Sequence, residues 1–350
     1  MFQWLPGLIM LIICNLPFFC GAEETKAVTP DESDASLEEE KNDLFYDPSV
    51  KKKWFDLDYL HDTLHMKLQS KTEQVDYFLA GDLVEKEAVP DSRFRLGIHA
   101  ETRVDRGLSI RFDPEFDADV SLPNTEKRWN IFVTGQDMDE LPGTNPSERD
   151  KGFYAGIKKK GLKKLPVNLS VGIHFSWLPS AFIKTNWKRL YEVGVWYVIP
   201  EQRAYYKTDD GLGEVTSLNV YRWFGGNQCG YIRSTSAGRW TEESFGWEWE
   251  QLLTLGYVDK LIEEKESRGI VHGDDVAEGY GIRGGVFGHK SGSGVVDLYR
   301  ITLMHRRPIY KEWMYLVSAV EVQWDNEYDW DEEYRLRVGL DMLFWGSRDR

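Results

Sequence analysis

From Leu108 to Leu122 the chain alternates without a break. Leu108, Ile110, Phe112, Pro114, Phe116, Ala118, Val120 and Leu122 hold one phase. Ser109, Arg111, Asp113, Glu115, Asp117, Asp119 and Ser121 hold the other. Successive side chains of a strand point to opposite faces of its sheet, so the segment predicts a strand with one apolar and one charged side. It exceeds the usual strand of about 5–6 residues and suffices for the roughly 9–11 residues that cross a bilayer at a tilt. The same pattern stands at both ends of the strand-rich region. Phe94, Leu96, Ile98 and Ala100 alternate with Arg93, Arg95, Gly97, His99 and Glu101, while Tyr334, Leu336, Val338, Leu340, Met342 and Phe344 alternate with Arg335, Arg337, Gly339 and Asp341. Terminal strands of one type can pair and remove both sheet edges. The pattern therefore predicts an all-β fold, a closed antiparallel transmembrane β-barrel with apolar side chains outward and charged ones in the lumen.

Strand signals mark about fourteen segments: 93–104, 107–122, 128–137, 152–160, 166–177, 180–188, 195–207, 213–223, 228–238, 246–258, 279–289, 295–306, 313–324 and 333–345. The sixth segment and the connection between the tenth and eleventh are the faintest, which leaves a range of about 12–16 strands; an even count puts both ends of the barrel on one side. Val195–Lys207 has no clean polar face, and its Pro200 predicts a bulge or a bend. With the first strand entering from the periplasm, Asp137–Asp150, Lys207–Gly211, Thr241–Gly246 and Asp325–Glu333 become outer loops, mostly acidic. Gly161–Pro166 and Arg306-Arg307-Pro308 become compact basic turns on the other rim. Asp259–Glu278 stands apart as a long inner connection with a short helical stretch near Leu261.

Ahead of the barrel, predicted over 91–346, lie three other segments. The apolar run Leu5–Phe19 followed by Cys20-Gly21-Ala22 predicts a signal peptide over 1–22, cut after Ala22, although no Lys or Arg precedes the run. Its removal takes Cys14 and Cys20 away and leaves Cys229 as a single thiol. Residues 23–50 are acidic and poor in large apolar side chains, the composition of a disordered segment. Residues 51–90 open on Lys51-Lys52-Lys53 and carry Trp54, Leu57, Leu60, Leu64, Leu68 and Val75 at helical intervals, predicting an amphipathic helix. It is expected to cap the barrel mouth, the alternative being a plug or a periplasmic docking helix.

The 350-residue chain carries a net charge of -15, which opposes a nucleic-acid partner, since phosphate binding needs a basic surface. A mean hydropathy of -0.48 excludes a helical-bundle membrane protein but not a barrel, whose apolar residues are diluted by alternation. The 14 Trp and 17 Tyr suit the bilayer interface.

Several stretches resemble a group of uncharacterised proteobacterial outer-membrane barrel proteins, generally described as porin-like. They are Tyr206-Lys207-Thr208-Asp209-Asp210-Gly211-Leu212-Gly213-Glu214-Val215-Thr216, Arg239-Trp240-Thr241-Glu242-Glu243-Ser244-Phe245-Gly246-Trp247-Glu248-Trp249, Asp91-Ser92-Arg93-Phe94-Arg95-Leu96 and Val75-Asp76-Tyr77-Phe78-Leu79. The resemblance spans about Leu57 to Trp345 and departs at the Asp259–Glu278 insertion. It implies a barrel in the outer membrane and brings no activity with it.

Candidate chemistry centres on the inward phase. Arg93, Arg95, Arg103, Arg111, Arg335 and Arg337, with Asp113, Glu115, Asp117, Asp119 and Asp341, are the expected pore lining. Such charges are costly in hydrocarbon, but in a lumen they pair or line water, and opposed ladders set up a transverse field that orients polar solutes. A barrel of about fourteen strands is wider than side chains alone need fill. The leading expectation is passage of small polar or charged solutes. The alternative is a non-conducting structural or interaction barrel of the envelope. A third reading is lipid modification: His174-Phe175-Ser176 resembles the His and Ser two residues apart on a strand of outer-membrane phospholipases and lipid A deacylases, where a Ser nucleophile needs a His in hydrogen-bond reach. Here Val171, Ile173 and Phe175 claim the lipid face, which turns His174 and Ser176 inward as a polar lumen pair. His61 and His65 share a helix face but fall short of the three or four ligands of a zinc site. Gly279-Tyr280-Gly281-Ile282-Arg283-Gly284 imitates a nucleotide loop, yet it opens a strand rather than a helix, so its glycines are expected to ease strand curvature and close packing. No cofactor or metal is expected. The expected partners are outer-membrane lipid and lipopolysaccharide, the barrel assembly machinery and small polar solutes.

Overall fold

The computed structural model describes residues 57–80, 93–103, 109–122, 129–135, 139–144, 152–161, 166–225, 229–242, 246–261, 276–290, 295–311 and 313–344. The expected signal peptide, the acidic segment and Trp54 lie outside them. Among the described residues one helix, α1 (Leu57–Ala80), precedes fifteen strands: β1 (Arg93–Arg103), β2 (Ser109–Leu122), β3 (Trp129–Thr134), β4 (Phe153–Lys159), β5 (Val167–Phe175), β6 (Ser180–Lys188), β7 (Tyr191–Val193), β8 (Trp196–Lys207), β9 (Gly211–Phe224), β10 (Gly230–Thr241), β11 (Trp247–Leu261), β12 (Val276–Lys290), β13 (Val295–Tyr310), β14 (Met314–Asp325) and β15 (Glu332–Phe344).

Neighbouring strands pair antiparallel, β6 pairs β8, and β15 returns to β1. The sheet is thus a closed barrel. β6 and β7 lie on β8 in one register, Lys188 opposite Glu201 and Tyr191 opposite Val198. They form a single stave, which brings the wall to fourteen. The interruption falls opposite Pro200, which has no N–H to give the ladder; β8 carries no bulge there, and its register with β9 runs through. β1 begins and β15 ends at the same rim, called proximal below; the opposite rim is distal.

Closure follows from matched phases at the seam. Phe94 faces Phe344 and Ala118, while Arg95 faces Leu343 and Asp117. Along β1, β2 and β15 these registers keep apolar side chains on the outer surface and most charged ones inside. Phe112 on the outer face is 70 % exposed, whereas Asp341 on the inner face is fully buried. The expected connection Asp259–Glu278 is shorter than its sequence suggests, because β11 runs to Leu261 and β12 starts at Val276. Leu261 ends a strand, and the rest of the expected short helical stretch lies outside the described residues.

α1 does not cap the mouth. Its Asp58, His61, Leu68 and Thr72 face the barrel at the proximal rim. His61 stacks between Trp313 and Phe344, at 4.6 and 5.0 Å, and its Nε2 lies 3.1 Å from the Leu343 carbonyl oxygen. Leu68 packs against Phe94, Ala118, Val120, Leu122 and Phe344, all on the outer phase, so the helix leans on the outside of the seam. Leu60 and Leu64, part of the predicted stripe, are turned away and exposed. The docked phase is chosen by the His61 stack and by Asp58, which accepts from Lys311 Nζ at 2.6 Å and Tyr310 Oη at 3.0 Å. The hydrogen bond from Lys311 holds the Asp58 carboxyl below its usual value of 3.8. A lowered carboxyl contributes fully above that usual value, and the contribution is lost as the pH falls through the lowered one. Amide exchange in the first turns of α1 is therefore expected to accelerate only below about pH 4, and Lys311→Ala should produce the same acceleration at neutral pH. Equal exchange in the variant and the parent would contradict this docking.

Candidate functional site: the charged interior and its inward loop

The inner face of the seam is an ion-pair network. Asp341 Oδ2 meets Arg95 Nη2 at 3.0 Å and Arg306 Nη2 at 3.3 Å, and its Oδ1 meets His99 Nε2 at 3.1 Å. Glu115 closes the far side, 3.8 Å from Arg95 and 3.6 Å from His99 Nδ1. The His99 ring lies flat over Gly339, where a Cβ would stand 1.8 Å from its Cδ2; a glycine is required there. A second group lies toward the distal rim. Arg335 reaches Glu333 at 2.5 Å and Glu321 at 4.0 Å, Arg103 reaches Glu333 at 3.5 Å, Arg337 reaches Glu101 at 3.6 Å and Arg300 reaches Glu321 at 3.4 Å. Arg111 pairs with Asp113 at 3.0 Å. Asp117 accepts from Thr134 and Asp119 from Asn130, with Lys158 4.0 Å from Asp119. The structure thus brings most of the sequence-predicted charges into two braced clusters; the Arg93 side chain lies outside the described residues. His99, Glu101, Arg300, Arg306, Glu321 and Glu333 complete those clusters although they were not among the expected pore lining. Strand phase alone was the signal for each.

The connection between β3 and β4 was expected as an outer loop. Its described part, 139–144, instead folds into the barrel. Asp139 is buried against Lys207, 2.6 Å away, and Lys207 also donates to Tyr154 Oη at 3.1 Å. Arg203 Nη2 donates to the Glu140 carbonyl oxygen at 3.3 Å. Gly143 then docks on the opposite wall: its N–H faces both oxygens of Glu250, at 3.1 and 2.9 Å, and its carbonyl oxygen accepts from Arg300 Nη1 at 2.9 Å. A Cβ on Gly143 would stand 2.6 Å from Glu250 Oε2 and from Phe287 Cε1. A buried carboxylate needs donors, and the loop backbone supplies them to Glu250. Beside this strap lies a cavity of about 350 Å³ lined by residues of β1, β2, β10–β15 and the loop.

The other candidates fall elsewhere. His174 does point inward, stacked on Tyr154 at 4.1 Å. Ser176 has left the strand for the β5–β6 turn, and its hydroxyl donates to the Leu178 carbonyl oxygen at 2.8 Å. The expected lumen pair is not formed, nor is the bond a Ser nucleophile needs from His. No group of three or more His, Cys, Asp or Glu able to hold a metal occurs among the described residues. Cys229 is disulfide-bonded in the full-length chain; the expected single thiol concerns the chain without residues 1–22, and Cys14 and Cys20 lie outside the described residues.

Fold and interior together define a closed barrel with a charged, strapped lumen. No protein-family model matches the sequence, and no curated protein does. Among solved structures the chain is similar to OmpT, an outer membrane protein of Vibrio cholerae, at 10 % identity and a TM-score of 0.38 over 75 % of this chain and 100 % of that one. It is also similar to OccK1 (OpdK) of Pseudomonas aeruginosa, at 10 % and 0.38 over 74 % and 100 %. For the KdgM porin the values are 9 % and 0.32 over 71 % and 98 %.

Proposed function

We propose that the protein is an outer-membrane, porin-like barrel that passes small polar or charged solutes. The observation that carries this reading is the phase of its side chains: a largely apolar outer surface, broken by a polar patch on β8–β11, around an interior of ionised groups beside a cavity of about 350 Å³. An apolar wall of this extent in water would aggregate, and in lipid it is satisfied. The barrel's lack of free edges meets the bilayer's demand that every backbone group be paired. In this reading the proximal rim faces the periplasm, segment 1–22 directs export, and lipid and lipopolysaccharide contact the outer face after insertion by the barrel assembly machinery. The pore lining comprises Arg93, Arg95, Arg103, Arg111, Asp113, Glu115, Asp117, Asp119, Arg335, Arg337 and Asp341, joined by the 139–144 strap as its constriction.

Current across a planar bilayer tests the reading. Stepwise conductance from the purified, heat-modifiable protein is expected; a barrel that inserts and stays silent would favour the second reading, a structural envelope barrel, for which the bracing of the interior and the strap speak. Placement in lipid is testable separately. Ile98, which faces Leu340 and Pro114 on the outer surface, should tolerate leucine, whereas Ile98→Arg should lower unfolding stability in vesicles by about 2–4 kcal/mol. An unchanged urea midpoint would place Ile98 away from hydrocarbon.

A further inference from the structure

The lumen of this acidic protein holds a cationic recess. Six arginines line the cavity beside the strap, Arg95, Arg233, Arg283, Arg300, Arg306 and Arg337, against three carboxylates, Glu115, Glu321 and Asp341. All three carboxylates are engaged by arginines of the clusters described above. Arg233 and Arg283 take no part in that pairing. Arg233 donates from Nε and Nη2 to Asn219 Oδ1, at 3.1 and 2.6 Å, and from Nε to Thr235. Arg283 donates from Nε to Thr254 Oγ1 at 3.2 Å. These partners are neutral, and no carboxylate of the described residues lies within 4.0 Å of either guanidinium. Nη1 of Arg233 and both Nη atoms of Arg283 remain without a partner among the described residues.

The backbone makes room around them. Arg233 and Arg283 both lie opposite Thr254, on the strands flanking β11. On the inner phase of β12 Arg283 stands between Gly281 and Gly285; Phe287 and Leu252 lie over Gly285, at 2.8 and 2.9 Å from a Cβ there, whereas the side chain nearest a Cβ on Gly281 is Met304 at 3.8 Å. The ring of Tyr231 lies over Gly256 on the next strand, where a Cβ would be 2.3 Å from its Cε1, and offers an aromatic face to the cavity. The glycine run that imitates a nucleotide loop thus leaves Arg283 without a bulky side chain at Gly281 beside it.

We propose that Arg233 and Arg283 form a seat for a small solute with an oxyanion head, a carboxylate or a phosphate ester, whose body lies against Tyr231. Guanidinium forks match both heads in a bidentate fashion, and a half-buried guanidinium with no carboxylate beside it gains from an opposite charge. This assignment rests on the barrel being a solute conduit and names the class of solute it prefers.

Calorimetric titration of the full-length protein in detergent tests it, with succinate, glycerol phosphate and uncharged glycerol as probes. One or both anions should bind and glycerol should not. Arg283→Gln and Arg233→Gln should each weaken binding about tenfold or more, and Arg283→Lys should weaken it less. Heat-modifiable migration checks that each variant is folded; should the double variant not fold, the single Arg283→Lys and Arg283→Gln variants carry the comparison. Preference between succinate and glycerol phosphate tells which head the seat takes. Equal binding by parent and folded glutamine variants, or equal binding of glycerol, overturns the seat. Anion binding without current leaves the seat standing and defeats the conduit; current without anion binding does the reverse.

Discussion

Gly143→Leu raises single-channel conductance severalfold. The strap over 139–144 is held at one end by the Asp139–Lys207 pair and at the other by Gly143, whose N–H and carbonyl oxygen meet Glu250 and Arg300. No Cβ fits at Gly143, where Glu250 Oε2 and Phe287 Cε1 would each stand 2.6 Å away. A leucine must push that end off the wall, and the backbone bonds go with it. The wall is closed by its own ladder, so the barrel survives while its narrowest section widens. Lys207→Met should release the other end and act in the same direction, and the two changes together should add little beyond the larger. Planar-bilayer recordings read this directly. An unchanged conductance in a correctly folded Gly143→Leu barrel would mean that the strap does not set the constriction.

Asp341→Asn costs about 3–5 kcal/mol of stability, the range for removing one partner of a buried ion pair. The carboxyl is fully buried and meets Arg95, His99 and Arg306 across the closing seam. Asparagine keeps the shape but strips the charge that three cationic or protonatable groups converge on. Adding His99→Gln removes one of those groups and should return part of the loss. Urea unfolding in vesicles, followed by the heat-modifiable band, measures both variants. A loss below about 1 kcal/mol, typical of exposed pairs, would show that water reaches the seam freely and that the network braces nothing.

How much of this was legible in the sequence depended on whether a strand keeps one environment along each face. β1, β2 and β15 do, and their phases located the seam and its charges. β8 to β11 do not. Near the proximal rim their inner face carries Ile199, Tyr221, Trp223 and Val258 packed together. On their outer face Thr216 bonds Gln202 and Ser236 bonds Gln251, each at 2.5 Å. Apolar groups inside and polar groups outside cancel the alternation, which is why Val195–Lys207 showed no clean polar face.

The strap was illegible for another reason. Periodicity marks where a strand ends but says nothing of where a polar loop goes, and the group that captures Gly143 is Glu250, far along the chain. Arg283 was visible, and the close packing expected of its neighbouring glycines is met at Gly281 and Gly285, but its lack of a carboxylate partner depends on side chains of other strands that periodicity does not report. The stripe in α1 was a partial guide: Leu68 packs on the barrel, but the helix also docks through a stacked histidine and an ion pair, neither of which hydrophobic spacing reports.

Single cysteines placed along β2 of the bilayer-inserted protein test the central claim most directly. At Arg111, Asp113 and Glu115 they should react with a water-soluble thiol reagent, and at Ile110, Phe112 and Pro114 they should be shielded from it while being quenched by a lipid-borne probe. Uniform reactivity along the strand, or the opposite alternation, would contradict a lipid-facing exterior around an aqueous, charged lumen.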